Sequence, residues 1–426
     1  MTLFDHELTQ RARFGPGAES VPTSRHRYAA FMLTTLVVLA PFDFAIPESG
    51  FGFLVLRPLM IVAAVLSVVS LLLVPARRIV ALTSVATLGA VWVSTALSDS
   101  PSLSAAASAR ITVAILVFAA STSVFACRSG RSTLRDGLTL GVIAFTLVGI
   151  ATHLTGGELL VTEYLLGDIS ISNGVARLTR PFPHTNVAAM FLGPSLVLLA
   201  VDPRDPDSKA PGWATLTAVA LAVVALSLTL SSGGLIAAIA GLLAGAWWNR
   251  STPWVLNRIV PLLSAAYLAA SRALYSSWDQ RLSFDGGVTG TQPRPLSRVQ
   301  VWEQAWDAFT GAPVFGLGPG QFGPFSSTAT PDGLAAAPHA HSIVFEALAT
   351  GGLVLAVPLA VLIVVVARSL LRTLPACAGI SGAMVAVGVH SLVDYGVVFT
   401  STGILIGAVA GALVGTHVSA ESRDER

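Results

Sequence analysis

The chain alternates between long apolar runs and short polar segments. Runs of roughly 20 mostly apolar residues, the length that carries a helix across a hydrocarbon core, fall at 28–46, 57–74, 79–97, 106–127, 137–153, 185–201, 213–230, 233–248, 256–273, 340–366, 376–398 and 401–416. Only "SSGG" (231–234) separates the seventh run from the eighth. The pattern predicts an all-α polytopic membrane protein with about twelve transmembrane helices. Its expected divisions are an N-tail (1–27), helices 1–9 (28–273), a large loop (274–339), helices 10–12 (340–416) and a C-tail (417–426). No cleavable signal is expected before the first span.

Composition supports this. A soluble domain is about 25% charged, whereas this chain is 11% charged and 53% hydrophobic, with a mean hydropathy of +0.73. Too little polar surface is left for a water-soluble globule. The net charge of +2 conceals 24 arginines and a single lysine, Lys209. With the N-terminus inside, the tails and the segments "PARR", "CRSGRSTLRD", "DPRDPDSK", "NRSTPWVLNR" and "RSLLRT" hold 17 of the 25 basic residues. Each inner segment then carries at least two, as the positive-inside rule asks. Both termini are therefore expected in the cytoplasm, with the chain in the inner membrane. Cys127 and Cys377 sit at predicted cytoplasmic helix ends and show neither a disulfide framework nor metal-ligand spacing.

This orientation leaves Arg57, Arg110, Arg177, Arg180, Arg272, Arg281, Arg294 and Arg298 at the outer side, with His153, His184, His339, His341 and His390. Arginine near the apolar core costs about 2.5–3.5 kcal/mol at a helix centre and usually faces a polar cavity or partner. The planar five-donor guanidinium suits phosphate or diphosphate, so Arg57, Arg110, Arg177, Arg180 and Arg298 are candidate anion ligands. Taken singly, each is equally well explained by snorkelling to lipid headgroups or pairing with outer carboxylates. "RPFPHTNVAAMF" brings His184 and Asn186 to the mouth of the sixth span, either as site residues or as a rigid capped loop.

The large loop is expected to contain an amphipathic helix, "RVQVWEQAWDAF" (298–309). Trp302, Ala305, Trp306 and Phe309 would share one side of it, lying flat at the membrane boundary with Arg298 in the first turn. "GLGPGQFG" superficially resembles a phosphate-cradling loop, but no strand precedes it and it falls outside the cell, so a nucleotide role is discarded.

In "HAHSIVFEALATGGL" (339–353), His341 and Ser342 open the tenth span. An imidazole with its ordinary pKa of roughly 6.5 is a natural proton acceptor. The alternative is an interfacial cap. His339, two residues earlier, would point elsewhere along an extended turn, so one histidine of the pair is expected to address the cavity. Glu346 either faces that cavity or stabilises the helix. "VHSLVDYGV" places His390 and Asp394 four apart, expected on one helical face. They form either a functional intramembrane pair or a mutually satisfied structural one, with Asp394 read as a support that orients site groups.

"RPFPHTNVAAMF", "SRVQVWEQAWDAFTGAPVFGLGPGQF", "HSIVFEALATGGL" and "HSLVDYGV" resemble, in order, the landmarks of bacterial O-antigen ligases and polysaccharide polymerases. The resemblance runs from about Arg177 to Asp394. Its most specific element is histidine, a polar residue, nine residues and glycine after a large external loop. It implies a polyprenyl-diphosphate-linked glycan donor and transfer to an acceptor hydroxyl on a glycan, lipid or protein. His341 resembles the family's essential histidine, and Arg180 and Arg298 its diphosphate-binding arginines. The chain departs from the pattern at "SSGG", where Ser-Arg-Gly is frequent, at Leu355 in place of a second glycine, and at Ser342 in place of asparagine.

The expected activity is ligase-like glycan transfer at the outer face, with membrane lipids as surroundings and no nucleic-acid partner. Fixed arginines would stabilise the leaving diphosphate and His341 would accept the hydroxyl proton. Neither "HExxH" nor a cysteine cluster is present, so no metal and no cofactor is expected. A single inverting displacement is expected. A polymerase extending lipid-linked repeats is the alternative within the family. A twelve-helix transporter or flippase of an anionic solute or lipid is the alternative from another class. It would require ionisable residues near the midplane and related halves, whereas the polar residues here gather at one face.

Overall fold

The computed structural model describes residues 23–42, 58–154, 171–172, 175–176, 178, 182, 184–201, 208–249, 259–271, 273, 294–332, 334–373 and 377–424. Its long helices are α1 (Ser24–Leu39), α2 (Pro58–Leu73), α3 (Arg78–Ala96), α4 (Pro101–Val124), α5 (Arg128–Leu154), α6 (Thr185–Val201), α7 (Gly212–Thr229), α8 (Ser232–Trp248) and α9 (Ile259–Ser271). After these come α10 (Arg298–Gly311), α11 (Phe322–Ala329), α12 (Ile343–Thr373), α13 (Ala378–Val393) and α14 (Thr400–Asp424). Two pairings of two-residue strands, β1 (Ile171–Ser172) with β2 (Val175–Ala176) and β3 (Arg294–Pro295) with β4 (Leu334–Ala335), are the extended structure among the described residues.

A helix overlaps each of the twelve apolar runs. Six are long and apolar enough to cross a membrane: α3, α4, α5, α7, α12 and the Thr400–His417 part of α14. The polytopic all-α architecture follows from these. Boundaries shift where apolarity and hydrogen bonding part company. The run at 340–366 begins its helix at Ile343 and continues to Thr373, and the run at 376–398 ends its helix at Val393. Leu72, Leu140, Trp213 and Leu371 lie exposed on outward faces, as side chains bordered by lipid would.

Close helix approach holds the bundle together. In α14, Gly403, Gly407 and Gly411 recur every fourth residue against α4. A Cβ at Gly407 would stand 2.6 Å from the Ala114 carbonyl, and one at Gly411 2.6 Å from that of Phe118. Gly241 of α8 and Gly382 of α13 meet in the same way, each facing the other's carbonyl at 2.6–2.7 Å. Small residues at four-residue spacing let backbones pack by dispersion where lipid offers no hydrophobic drive. Buried Thr87, Thr139 and Thr350 return their hydroxyls to carbonyls four residues back, at 2.7–3.0 Å.

The bundle has two unlike ends. One gathers the α3–α4 turn, the starts of α6, α8 and α12, the end of α13, and α10 and α11. The other gathers the α4–α5 turn and residues 208–210, with the ends of α6, α12 and α14.

Candidate active site

The first of these ends is built around a break in α12. Gly352 adopts φ +56° and ψ −158° inside the helix, a conformation that L side chains rarely take. The break frees backbone groups, and residues 313–318 satisfy them. Leu317 N–H donates to the Ala349 carbonyl (2.9 Å) and Gly318 N–H to that of Thr350 (2.8 Å). In return, Leu353 and Val354 donate to the Pro313 and Val314 carbonyls at 2.9 and 3.0 Å. Non-helical backbone at membrane depth persists only when paired in this way. Ser94 of α3 adds hydrogen bonds to the Phe315 and Thr350 carbonyls (2.7 and 3.0 Å).

The "GLGPGQFG" segment therefore works as backbone filler. Gly316, Gly318 and Gly320 all have positive φ. Gln321 fastens the segment's end to the start of α4, donating to Ser104 Oγ (3.2 Å) and the Ser100 carbonyl (3.4 Å).

Arg298 is set by a capping box. Ser297 Oγ accepts from Gln300 N–H, and Gln300 Oε1 accepts from Ser297 N–H. Arg298 thus opens α10. The helix buries Val301, Ala305 and Ala308 against Phe322, Ala337, Ala340 and Ala349. Trp302 stacks on Phe345 of α12, centroids 5.5 Å apart, while Trp306 stays exposed beside Phe309. This corrects the sequence expectation. The inward stripe runs one residue ahead of the tryptophans, and Trp302 is a protein contact, because the helix packs against α11 and α12 as well as facing outward.

A polar knot steers the chain from α11 into the histidines. Buried Ser326 Oγ donates to Gln304 Oε1 (2.8 Å) and accepts from Ala337 N–H (3.0 Å). Glu346, fully buried, reaches back from the first turn of α12 to accept Ala340 N–H at 2.6 Å. Glu346 thereby ties the turn at Ala340 to the start of α12. Between these anchors His341 takes φ +51°, an uncommon left-handed conformation for a bulky residue and one typical of functional sites.

That turn overturns the expectation that only one histidine of the pair faces inward. The two rings lie 4.2 Å apart, and both address one oxygen. His339 Nε2 stands 3.1 Å and His341 Nδ1 3.2 Å from Asp394 Oδ1. The same oxygen accepts Tyr395 N–H at 2.8 Å. The expected helical pairing of His390 with Asp394 does not form, since α13 stops at Val393 and Asp394 is extended at φ −154°. Leaving the helix is what lets the carboxylate turn to residues 339–341. Arg298 lies within electrostatic range of Asp394 and His390. Burial lowers the Arg298 pKa from its ordinary value, and the Asp394 carboxylate opposes that shift.

His390 is buried against the start of α8. A Cβ at Gly234 would lie 3.4 Å from its Cε1, and one at Gly233 3.8 Å from its Nε2. "SSGG" is therefore the floor beneath His390, and Ser231 caps α8 by accepting Gly234 N–H. Asn186 Oδ1 accepts from Ser231 Oγ at 2.9 Å, and His184 Nδ1 accepts Asn186 N–H at 3.2 Å. Asn186 thus ties α6 to the start of α8, while His184 accepts a main-chain N–H at the entry to α6. Arg110 is half-buried one turn beyond Ala107, the residue beneath Gly320. Ser342 is buried at the cap of α12. Arg57, Arg177 and Arg180 lie outside the described residues.

Chemically, the cluster offers a carboxylate that orients two imidazoles, with a guanidinium nearby. His341 Nε2 has no partner among the described residues. His339, His341 and Asp394 also form a group whose donor atoms lie within 4.8 Å of one another, close enough to hold a metal ion. Sequence spacing had shown no such set, because its members come from segments 53 residues apart.

Among known proteins, neither the curated sequences nor the solved structures provide a match. A family model described as O-Antigen ligase matches residues 217–360, about a third of the chain. The matched segment holds Arg298, His339, His341 and Gly352, and stops short of Asp394. The stretch from α7 through the first half of α12 is thus similar to the O-antigen ligase family model.

Proposed function

We propose that the protein is an O-antigen ligase-like glycosyltransferase of the inner membrane, acting at its extracytoplasmic face. Both termini then lie in the cytoplasm, about twelve helices cross the bilayer, and residues 274–339 form the large outer loop. The donor is a glycan on a polyprenyl diphosphate, and the acceptor is a hydroxyl on a lipid, glycan or protein. The acceptor oxygen attacks the anomeric carbon as the bond to the diphosphate oxygen breaks. His341 Nε2 takes the hydroxyl proton, and the diphosphate leaves on its lipid. A single displacement inverts the anomeric configuration and needs no metal.

The observation that carries this reading is the contact of His341 Nδ1 with Asp394 Oδ1 at 3.2 Å. With Nδ1–H donating to the carboxylate, the Nε2 lone pair is left for the alcohol, and the imidazolium formed in the reaction is stabilised. Arg298 supplies positive charge for the departing diphosphate. Arg57, Arg110, Arg177 and Arg180 are proposed to complete its binding, with His184 and Asn186 framing the opening.

The test is His341→Ala in a transfer assay with lipid-linked donor and acceptor. Transfer should fall about 10²–10⁴-fold with membrane insertion unchanged; retained transfer removes the base assignment. Incubating lipid-linked repeats alone separates ligase from polymerase, since only a polymerase then builds a ladder.

A further inference from the structure

His339, His341 and Asp394 are the group of three potential metal ligands found among the described residues. Two donor–donor separations, 3.1 and 3.2 Å, converge on one carboxylate oxygen. Around a tetrahedral ion with bonds of about 2.0–2.2 Å, neighbouring donors stand roughly 3.3–3.6 Å apart. Small side-chain movements therefore suffice to admit one. Two imidazoles and a carboxylate match the nitrogen and oxygen preference of zinc and its first-row neighbours, and three protein ligands leave a coordination position open. The backbone already holds the set. His341 is turned by its positive φ, Ala340 is pinned by Glu346, and Asp394 is held by Tyr395 N–H.

We infer that this trio binds one divalent first-row transition metal, with zinc as the preferred ion, and that metal occupancy and base function exclude each other at His341. The inference rests on the proposed role of His341 as the base. A neutral imidazole carries one N–H. With that proton on Nδ1, facing Asp394, Nε2 holds the lone pair that accepts the alcohol proton. When Nδ1 gives its lone pair to a metal, the proton sits on Nε2 and that atom can accept nothing. The protein gains and loses no proton overall, because solvent carries it from one ring nitrogen to the other. His339 is then the ligand that turns a base and its orienting carboxylate into a metal site.

The surrounding charges set the strength of binding. Arg298, within electrostatic range of Asp394, opposes a second cation. Glu346, within range of His339, favours one while its own oxygen is taken by Ala340 N–H. The site is thus a modest zinc trap, and zinc acts as a reversible inhibitor of transfer.

The experiment uses the full chain in nanodiscs, stripped with EDTA and titrated with Zn²⁺ and with Co²⁺, whose visible absorption reports coordination. One ion per chain is expected, with transfer lost on adding Zn²⁺ and restored by EDTA. His339→Ala and Asp394→Asn should weaken Zn²⁺ binding by at least about tenfold, and Arg298→Gln should strengthen it. A wild-type chain that takes up no stoichiometric metal overturns the inference without relying on any variant folding. So does Zn²⁺ affinity unchanged in a folded His339→Ala chain. Neither result touches the base assignment, which His341→Ala tests separately. A stripped chain that is inactive until Zn²⁺ is added overturns both.

Discussion

At the end of the bundle away from the histidines, polar side chains close backbone groups. Arg131 donates to the Ala126 carbonyl at 2.6 Å, Asn249 to that of Val201 at 2.7 Å, and Asp136 accepts Lys209 N–H at 2.8 Å and the Ser208 hydroxyl. At the histidine end the backbone is far more irregular, with four left-handed glycines and a broken helix, yet the groups opened by that break are met chiefly by the backbone of residues 313–318, with Ser94 beside them. Glu346 and Asp394 are the charged groups there that also accept main-chain N–H, from Ala340 and Tyr395. His339, His341 and Asp394 meet one another. Where side chains are released from closing the backbone, their remaining donors and acceptors can be directed at something outside the fold. That difference, more than the presence of ionisable residues, separates a candidate site from a well-capped bundle end.

The contrast can be broken in several places. After His341→Ala, the largest effect is expected from Asp394→Asn, which keeps the shape but removes the charge that orients both imidazoles. The kcat for transfer should fall about 10²-fold with the donor KM little changed, and steady-state kinetics over donor concentration would read the split. An unchanged kcat would reduce Asp394 to a cap for Tyr395 N–H.

Next in size is Gly352→Ala. The new Cβ would stand 2.5 Å from the Val314 carbonyl group and 2.7 Å from Gly316 N, at a positive φ. About 2–3 kcal/mol of stability should be lost, seen as a lower Tm in detergent together with weaker transfer, since α12 carries both the break and Glu346, which holds Ala340 between the histidines. A Tm equal to wild type would show that the break in α12 does not need glycine.

Arg298→Lys preserves charge and loses the planar fork, so a roughly tenfold rise in donor KM is expected. A change in kcat alone would shift Arg298 from diphosphate binding to positioning. The smallest effect belongs to the other end. Asp136→Ala should cost about 1 kcal/mol in unfolding measurements and leave kcat as it was. A loss of transfer comparable to that of Asp394→Asn would erase the distinction between the two ends.

Much of this could be read in advance. Among the described residues the apolar runs overlap α1 to α9 and α12 to α14, whereas the capping box of Ser297 and Gln300 was not read from the sequence. The four-residue glycine ladder of α14 also stood in the sequence, though apolarity alone drew attention to that segment as a span and left its packing role unseen. Histidine followed eleven residues later by glycine marked the neighbourhood of the His339–His341–Asp394 group, and in the structure Gly352 receives the segment 313–318, whose Leu317 packs against the cluster that holds Ala337 and Ala340. The misplaced details are instructive. Assuming an extended turn at 339–341 separated two imidazoles that φ +51° brings together. Assuming that α13 continued past Asp394 paired it with His390 instead of with residues more than fifty positions earlier.

The amino-acid sequence on its own determined that the chain is a bundle of apolar helices with its ionisable residues gathered mostly near loop ends, because burying backbone hydrogen bonds in lipid leaves helices as the economical solution and expels charge to the borders. Tertiary structure alone decided which charged groups meet. The convergence of Arg298, His339, His341 and Asp394 depends on one left-handed residue, one helix ending and one broken helix filled by a distant loop. Each is a local backbone choice of small energy that only packing between remote segments can fix.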